Sequence, residues 1–101
     1  MILIFVTFPN KKEAEKIVNH LIDKKLVACV TMFPVDSFYW WKGKKVKDKE
    51  IEAIIKTKKS NFDRVRIEIE KLHSYGVPQI IAVEAHDVNN KYYNWLYSEI
   101  R

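Results

Sequence analysis

Two extended runs in this chain are too long for the body that has to contain them. Leu26–Trp41 is rich in Leu, Val, Phe, Tyr and Trp with one interrupting proline, Pro34, and Lys45–Thr57 carries Val46, Ile51, Ala53 and Ile55. Both read as β-strands. The link between them, Lys42-Gly43-Lys44, holds one of only two glycines in 101 residues, which suits a tight hairpin turn with positive φ. At ~3.3 Å per residue, strands of about 14 residues reach roughly 45 Å. A compact chain of this length has a radius of gyration of about 13 Å, equivalent to a sphere roughly 34 Å across. The hairpin therefore overhangs its own body. An isolated ribbon tipped by Tyr39, Trp40 and Trp41 is marginal in water and invites edge pairing, so it is expected to lie against further copies of the chain. The alternative is that Pro34, which has no ladder donor, divides the first run into two ordinary strands of a monomer.

The remaining elements follow from periodicity and caps. Ile2–Val6 forms a first strand ended by Pro9-Asn10. Asn10 is a helix cap with Glu13 reaching back to it, and Ala14, Ile17, Val18, Leu21 and Ile22 keep one helical face apolar. Ser60, with Asp63 three residues on, caps a second helix whose stripe is Phe62, Val65, Ile69 and Leu72 and which ends near His73. Ile80–Val88 reads as a fourth strand and Lys91–Ile100 as a last helix. The order is βαββαβ plus a terminal helix. Two right-handed βαβ halves fold as one α+β domain over residues 1–101, a ferredoxin-like sandwich with a four-stranded antiparallel sheet and two helices on one face. In the third strand Val46 lies on even parity, while Ile51, Ala53 and Ile55 lie on odd. That switch predicts a bulge or bend within Lys47–Glu50.

Charge and residue types narrow the function. The net charge is +5, and Lys42, Lys44, Lys45, Lys47 and Lys49 crowd the hairpin. Yet no aromatic run of the RNA-binding kind is present and there are only three arginines, so nucleic acid is not the expected partner. The lysines read as a solvated surface partly answered by Asp48, Glu50 and Glu52. The first loop, Thr7-Phe8-Pro9-Asn10, lacks the arginine and glycines of a phosphate cradle, and no nucleophile-base arrangement declares itself, so no enzyme is expected. The lone Cys29 excludes a disulfide framework, fits a small buried hydrophobe and points to a cytoplasmic setting. Residues 1–8 are apolar but lack a basic start and a cleavage site, and are too short to span a membrane. High Lys, Ile and Glu suit a thermophilic source and a thermostable protein. For metal, the chain offers Cys29 and three histidines without C-x-x-C or H-x-x-x-H spacing. His73, leading into Ser74-Tyr75-Gly76, is the best placed of the three to meet an ion, and a helix-end histidine opposing the dipole is its alternative.

Taken in order, Thr7-x-Pro9, Leu26-Val27-Ala28-Cys29-Val30, Ser37-x-Tyr39-x-Trp41-x-Gly43-Lys44, Glu50, Lys56-Thr57, His73-x-Tyr75-x-x-Pro78 and Tyr93-x-Trp95 resemble the CutA family of divalent-cation tolerance proteins along the whole chain. The resemblance implies a homotrimer assembled through the long hairpin, a cytosolic setting, and a role in tolerance of Cu(II) and other divalent cations. It also implies a shared polar set, Tyr39, Trp41, Glu50, Lys56, His73 and Tyr75, lining a cleft between subunits. In that cleft His73 would contact metal, and Lys56 would pair with a carboxylate or small anion. A trimeric small-molecule sensor resembling the PII regulators, binding an anionic metabolite, is the second reading. The chain departs from the family pattern at Val6 and Leu72, where some members carry Cys and His, at Gly76 and Gln79, where carboxylates are common, and at Lys42, where an acid is common.

Overall fold

In the computed structural model, which spans Met1–Arg101, the order is β1 (Ile2–Phe8), α1 (Lys11–Asp23), β2 (Cys29–Trp41), β3 (Lys44–Thr57), a 3-10 turn (Lys59–Asn61), α2 (Phe62–Leu72), β4 (Ile80–Glu84) and α3 (Asn90–Glu99). The strands form one antiparallel sheet ordered β2-β3-β1-β4, the ferredoxin-like arrangement with an added C-terminal helix. Because side chains alternate along a strand, Ile2, Ile4, Val6 and Phe8 of β1 share a face with Ile51, Ala53, Ile55 and Thr57 of β3. Ala14, Ile17 and Leu21 of α1 and Val65 and Ile69 of α2 close over that face as the core. Each fully buried Ile, Leu or Phe there contributes about 1.5–3 kcal/mol. The opposite face carries Leu3, Phe5, Ile54, Ile81 and Val83 in register, with Ile81 and Val83 exposed.

The hairpin is longer than the sheet that supports it. β1 pairs with β3 only over Ile51–Thr57, so the pairs from Val35–Glu50 to Trp41–Lys44 form a two-stranded arm. The molecule measures 45 × 26 × 21 Å, its long axis matching the length expected of the hairpin. Lys42 (φ 50°) and Gly43 (φ 77°) make a two-residue turn with both residues left-handed, whose twist matches the strands it joins. Pro34 does not divide β2. It pairs opposite Ile51 in an edge strand, where a missing donor is tolerated.

Several sequence expectations are corrected. No bulge interrupts β3: its register with β2 runs unbroken from Lys56–Cys29 to Lys44–Trp41. The parity change has another origin. Ala53, Ile55 and Thr57 face the helices, whereas Glu50, on the opposite face of the same strand, is covered by the arm and the Tyr75 loop. β2 starts at Cys29 rather than Leu26, because Lys25 turns left-handed (φ 58°) and the Leu26 N–H caps α1 at Leu21 O, 3.2 Å. Leu26 and Val27 are nonetheless core. Ser60 lies inside the 3-10 turn and caps nothing, while Asn61, at the N-cap of α2, turns its side chain inward. The Leu26 carbonyl accepts from Thr57 Oγ1 at 2.6 Å and from Asn61 Nδ2 at 3.0 Å. A buried carbonyl left without donors costs more than a missing cap. β4 stops at Glu84 instead of Val88, with one more bond from Ala85 N–H to Met1 O.

Asn61 therefore ties α2, the α1–β2 loop and β3 together. Asn61→Leu is expected to lower stability by about 1–3 kcal/mol, the cost of stranding buried polar groups. A fall in the guanidinium midpoint at fixed protein concentration checks this.

Candidate functional site

A groove of about 780 Å³ opens between the arm and the loop after α2. Its walls come from three stretches: Ser37–Trp41 of β2, Glu50 of β3 with Thr7 of β1, and Ser74–Gln79. The unbroken register puts Ser37, Tyr39 and Trp41 on one face of the arm together with Asp48 and Glu50. Phe38 and Trp40 project from the other, and Trp40 is 73% exposed.

Hydrogen bonding fixes the acidic floor. Glu50 is only 7% exposed, and its Oε2 accepts from the Tyr75 hydroxyl at 2.7 Å. Its Oε1 makes no hydrogen bond within the chain, yet no buried side-chain oxygen is left unsatisfied, so Oε1 keeps access to the surface, where Glu50 lines both this groove and a smaller pocket beside Pro34 and Lys49. The Tyr39 hydroxyl donates to Asp48 Oδ2. That bond, followed by burial and the Asp48 charge, raises the Tyr39 pKa from 10.0 to about 12. Burial, then the bond to Glu50, raises Tyr75 further. Both phenols therefore stay protonated and donate to their carboxylates. Neither Asp48 nor Glu50 forms an ion pair. The partial answer to the hairpin lysines expected of Asp48, Glu50 and Glu52 therefore includes no direct ion pair. The lysines turn elsewhere: Lys42 Nζ lies 5.8 Å from the Trp41 ring centroid, and Lys47 Nζ lies 5.5 Å from that of Phe38.

Behind the groove, His73 holds the loop. Its ring stacks on Phe8 with centroids 5.1 Å apart, and its side chain is fully buried. Nε2–H donates to Thr7 O at 2.8 Å, and Nδ1 accepts from the Tyr75 N–H at 3.0 Å. Both nitrogens are committed, so no lone pair is free for a metal and the contact expected of His73 does not form within the chain. Glu13 completes the arrangement. Its Oε2 accepts from Ser74 N–H at 3.1 Å and Ser74 Oγ–H at 3.0 Å rather than returning to Asn10, whose own side chain does cap α1 at Glu13 N–H, 2.8 Å.

Of the six expected residues, Tyr39, Trp41, Glu50 and Tyr75 line the groove and His73 stands behind it. Lys56 does not join them. It shares Glu50's strand face but lies six residues along β3, roughly 20 Å away, with Nζ donating to Thr31 Oγ1 at 3.2 Å and lying 3.9 Å from Cys29 Sγ. Cys29 is accordingly half-buried rather than core. With Glu50 the one charged lining residue, nothing in the groove favours an anion. Nor do any three His, Cys, Asp or Glu side chains gather into a metal-holding group, so the donor set does not fit a tightly held ion. The other histidines lie elsewhere. His20 bonds Glu68 at 2.8 Å on the outer helical face, and His86 is exposed beside Asp87. Sequence reading missed Asp48, Ser37 and Glu13. Asp48 was accessible to it, because a two-residue turn at Lys42-Gly43 sets Asp48 diagonal to Tyr39.

Residues 2–99 match the family model described as CutA1 divalent ion tolerance protein. The chain is 41% identical over 101 residues to the divalent-cation tolerance protein CutA of Pyrococcus horikoshii, covering 100% of this chain and 99% of that one. It is 43% identical over 96 residues to the protein of the same name from Thermotoga maritima, covering 95% of each. The crystal structure of CutA1 from Pyrococcus horikoshii superposes with a TM-score of 0.97 at 40% identity, over 100% of this chain and 99% of that one. Other relatives carry compartment labels in their names, chloroplastic in rice and periplasmic in Archaeoglobus fulgidus. No helix of this chain is long and apolar enough to cross a membrane.

The tyrosine bonds are open to direct titration. A phenol whose folded pKa is raised contributes stability that is present below its unfolded value near 10 and lost as the pH rises through about 12. In a phenolate absorbance titration, Asp48→Asn is expected to bring one equivalent down from about 12 toward 10.

Proposed function

The chain belongs to the CutA1 divalent ion tolerance family, and on that premise we propose that it acts as a non-enzymatic homotrimer in divalent-metal tolerance, meeting Cu(II) or another divalent cation weakly at the arm groove. The observation that carries this is the largely buried Glu50 carboxylate in the groove lining, one oxygen held by Tyr75 and the other without a partner in the chain. A single carboxylate oxygen is a hard donor that leaves the ion most of its water, which suits reversible capture rather than a closed site. Tyr39, Trp41 and Tyr75 wall the groove, and His73 acts by positioning Tyr75 rather than as a ligand. Lys56 stays outside this set. A cytoplasmic setting belongs to the same proposal and rests on the single free cysteine.

Self-association has independent support. Phe38, Tyr39, Trp40 and Trp41 are exposed on a ribbon that extends beyond β1, and Phe33, Ile81 and Val83 are exposed on the sheet face away from the helices. Apolar surface of this extent is characteristic of assembly interfaces. Static light scattering is expected to return three times the 12.0 kDa of one chain, and a monomer or dimer overturns the trimer. In calorimetry of the assembled protein, Glu50→Gln is expected to abolish the Cu(II) response and His73→Gln to preserve it. The reverse pattern restores His73 as the ligand.

A further inference from the structure

The groove combines two features that a hydrated metal ion does not need. Its one charged lining residue, Glu50, and Asp48, which lies outside the lining and accepts from the Tyr39 hydroxyl, make no ion pair in a chain of net charge +5. Its walls on that same arm face are the rings of Tyr39 and Trp41, with Tyr75 opposite, and its volume of about 780 Å³ admits a small organic molecule. Aromatic faces attract poorly hydrated cations through their negative quadrupole, and most strongly where water is excluded. The chain already uses one of these rings in that way, with the Lys42 ammonium 5.8 Å from the Trp41 centroid. Phenols that donate to carboxylates also carry more electron density on their rings.

We propose that the groove binds a small organic monocation, an alkylammonium group seated among Tyr39, Trp41 and Tyr75 with its charge answered by Glu50 Oε1 and, through Tyr39, by Asp48. The proposal rests on the preceding assignment of the groove as the functional site, and it names the class of ligand the walls select. Glu50 supplies the charge that either kind of cation needs. The aromatic rings distinguish the two, because they contribute to an ammonium and little to a metal that keeps its water.

Calorimetric titration of the assembled full-length protein with n-butylammonium and tetramethylammonium chloride, at ionic strength held constant with sodium chloride, tests this. Saturable binding is expected for both, with none for sodium acetate. Trp41→Leu and Glu50→Gln are each expected to weaken it roughly tenfold, about 1.4 kcal/mol, and His86→Gln to leave it unchanged. Absence of saturable heat, as when a lysine of a second copy already fills the groove, overturns the proposal, and so does undiminished binding in Trp41→Leu. Loss of the Cu(II) response alone, with alkylammonium binding kept, overturns only the metal assignment.

Discussion

The register between β2 and β3 is the constraint on which the rest depends. One strand, β3, carries core residues at its base and the groove floor farther out, on opposite faces. A slip of one residue would expose Ala53 and Ile55 and drive Asp48 and Glu50 toward the helices, so core and site would fail together. The turn that prevents this is two residues long. Lys42 and Gly43 both hold left-handed backbone, and only that geometry lets Trp41 and Lys44 close the ladder.

Electrostatics at the groove run against those of the chain as a whole. A protein with an excess of lysine leaves Asp48 and Glu50 without ion pairs and gives each a phenol donor instead. The loop presenting one of those phenols is held from behind by a relay of neutral and charged bonds: Glu13 to Ser74, His73 to both Thr7 and the Tyr75 backbone. His73 has both ring nitrogens taken up within the chain and so holds this loop in place. Its value to the site lies in where it puts Tyr75.

Much of the fold was legible from sequence because its signals are local. The helix stripes, the glycine turn and the excess strand length each depend on residues close together in the chain, and the element order follows from them. What was not legible depended on partners far away. Asn61 and Thr57 answer the Leu26 carbonyl across more than 30 residues, and that contact displaced the expected Ser60 cap. Glu13 left its capping box for Ser74, 61 residues on. The site divides in the same way. Tyr39, Trp41, Glu50 and Tyr75, expected in a cleft between subunits, line a groove of the single chain, whereas Lys56, grouped with them by motif, lies apart from it within the chain.

The arm has one more consequence, for the order of events in folding. All its pairs, from Val35–Glu50 to Trp41–Lys44, link residues at most 15 positions apart, so its closure is a low-contact-order step of the kind that takes microseconds. Yet a two-stranded ribbon has little stability of its own. In the proposed trimer its lifetime is set by a collision with another chain, a bimolecular event whose rate scales with concentration. Zipping would be first-order and locking second-order, with dilution separating the two.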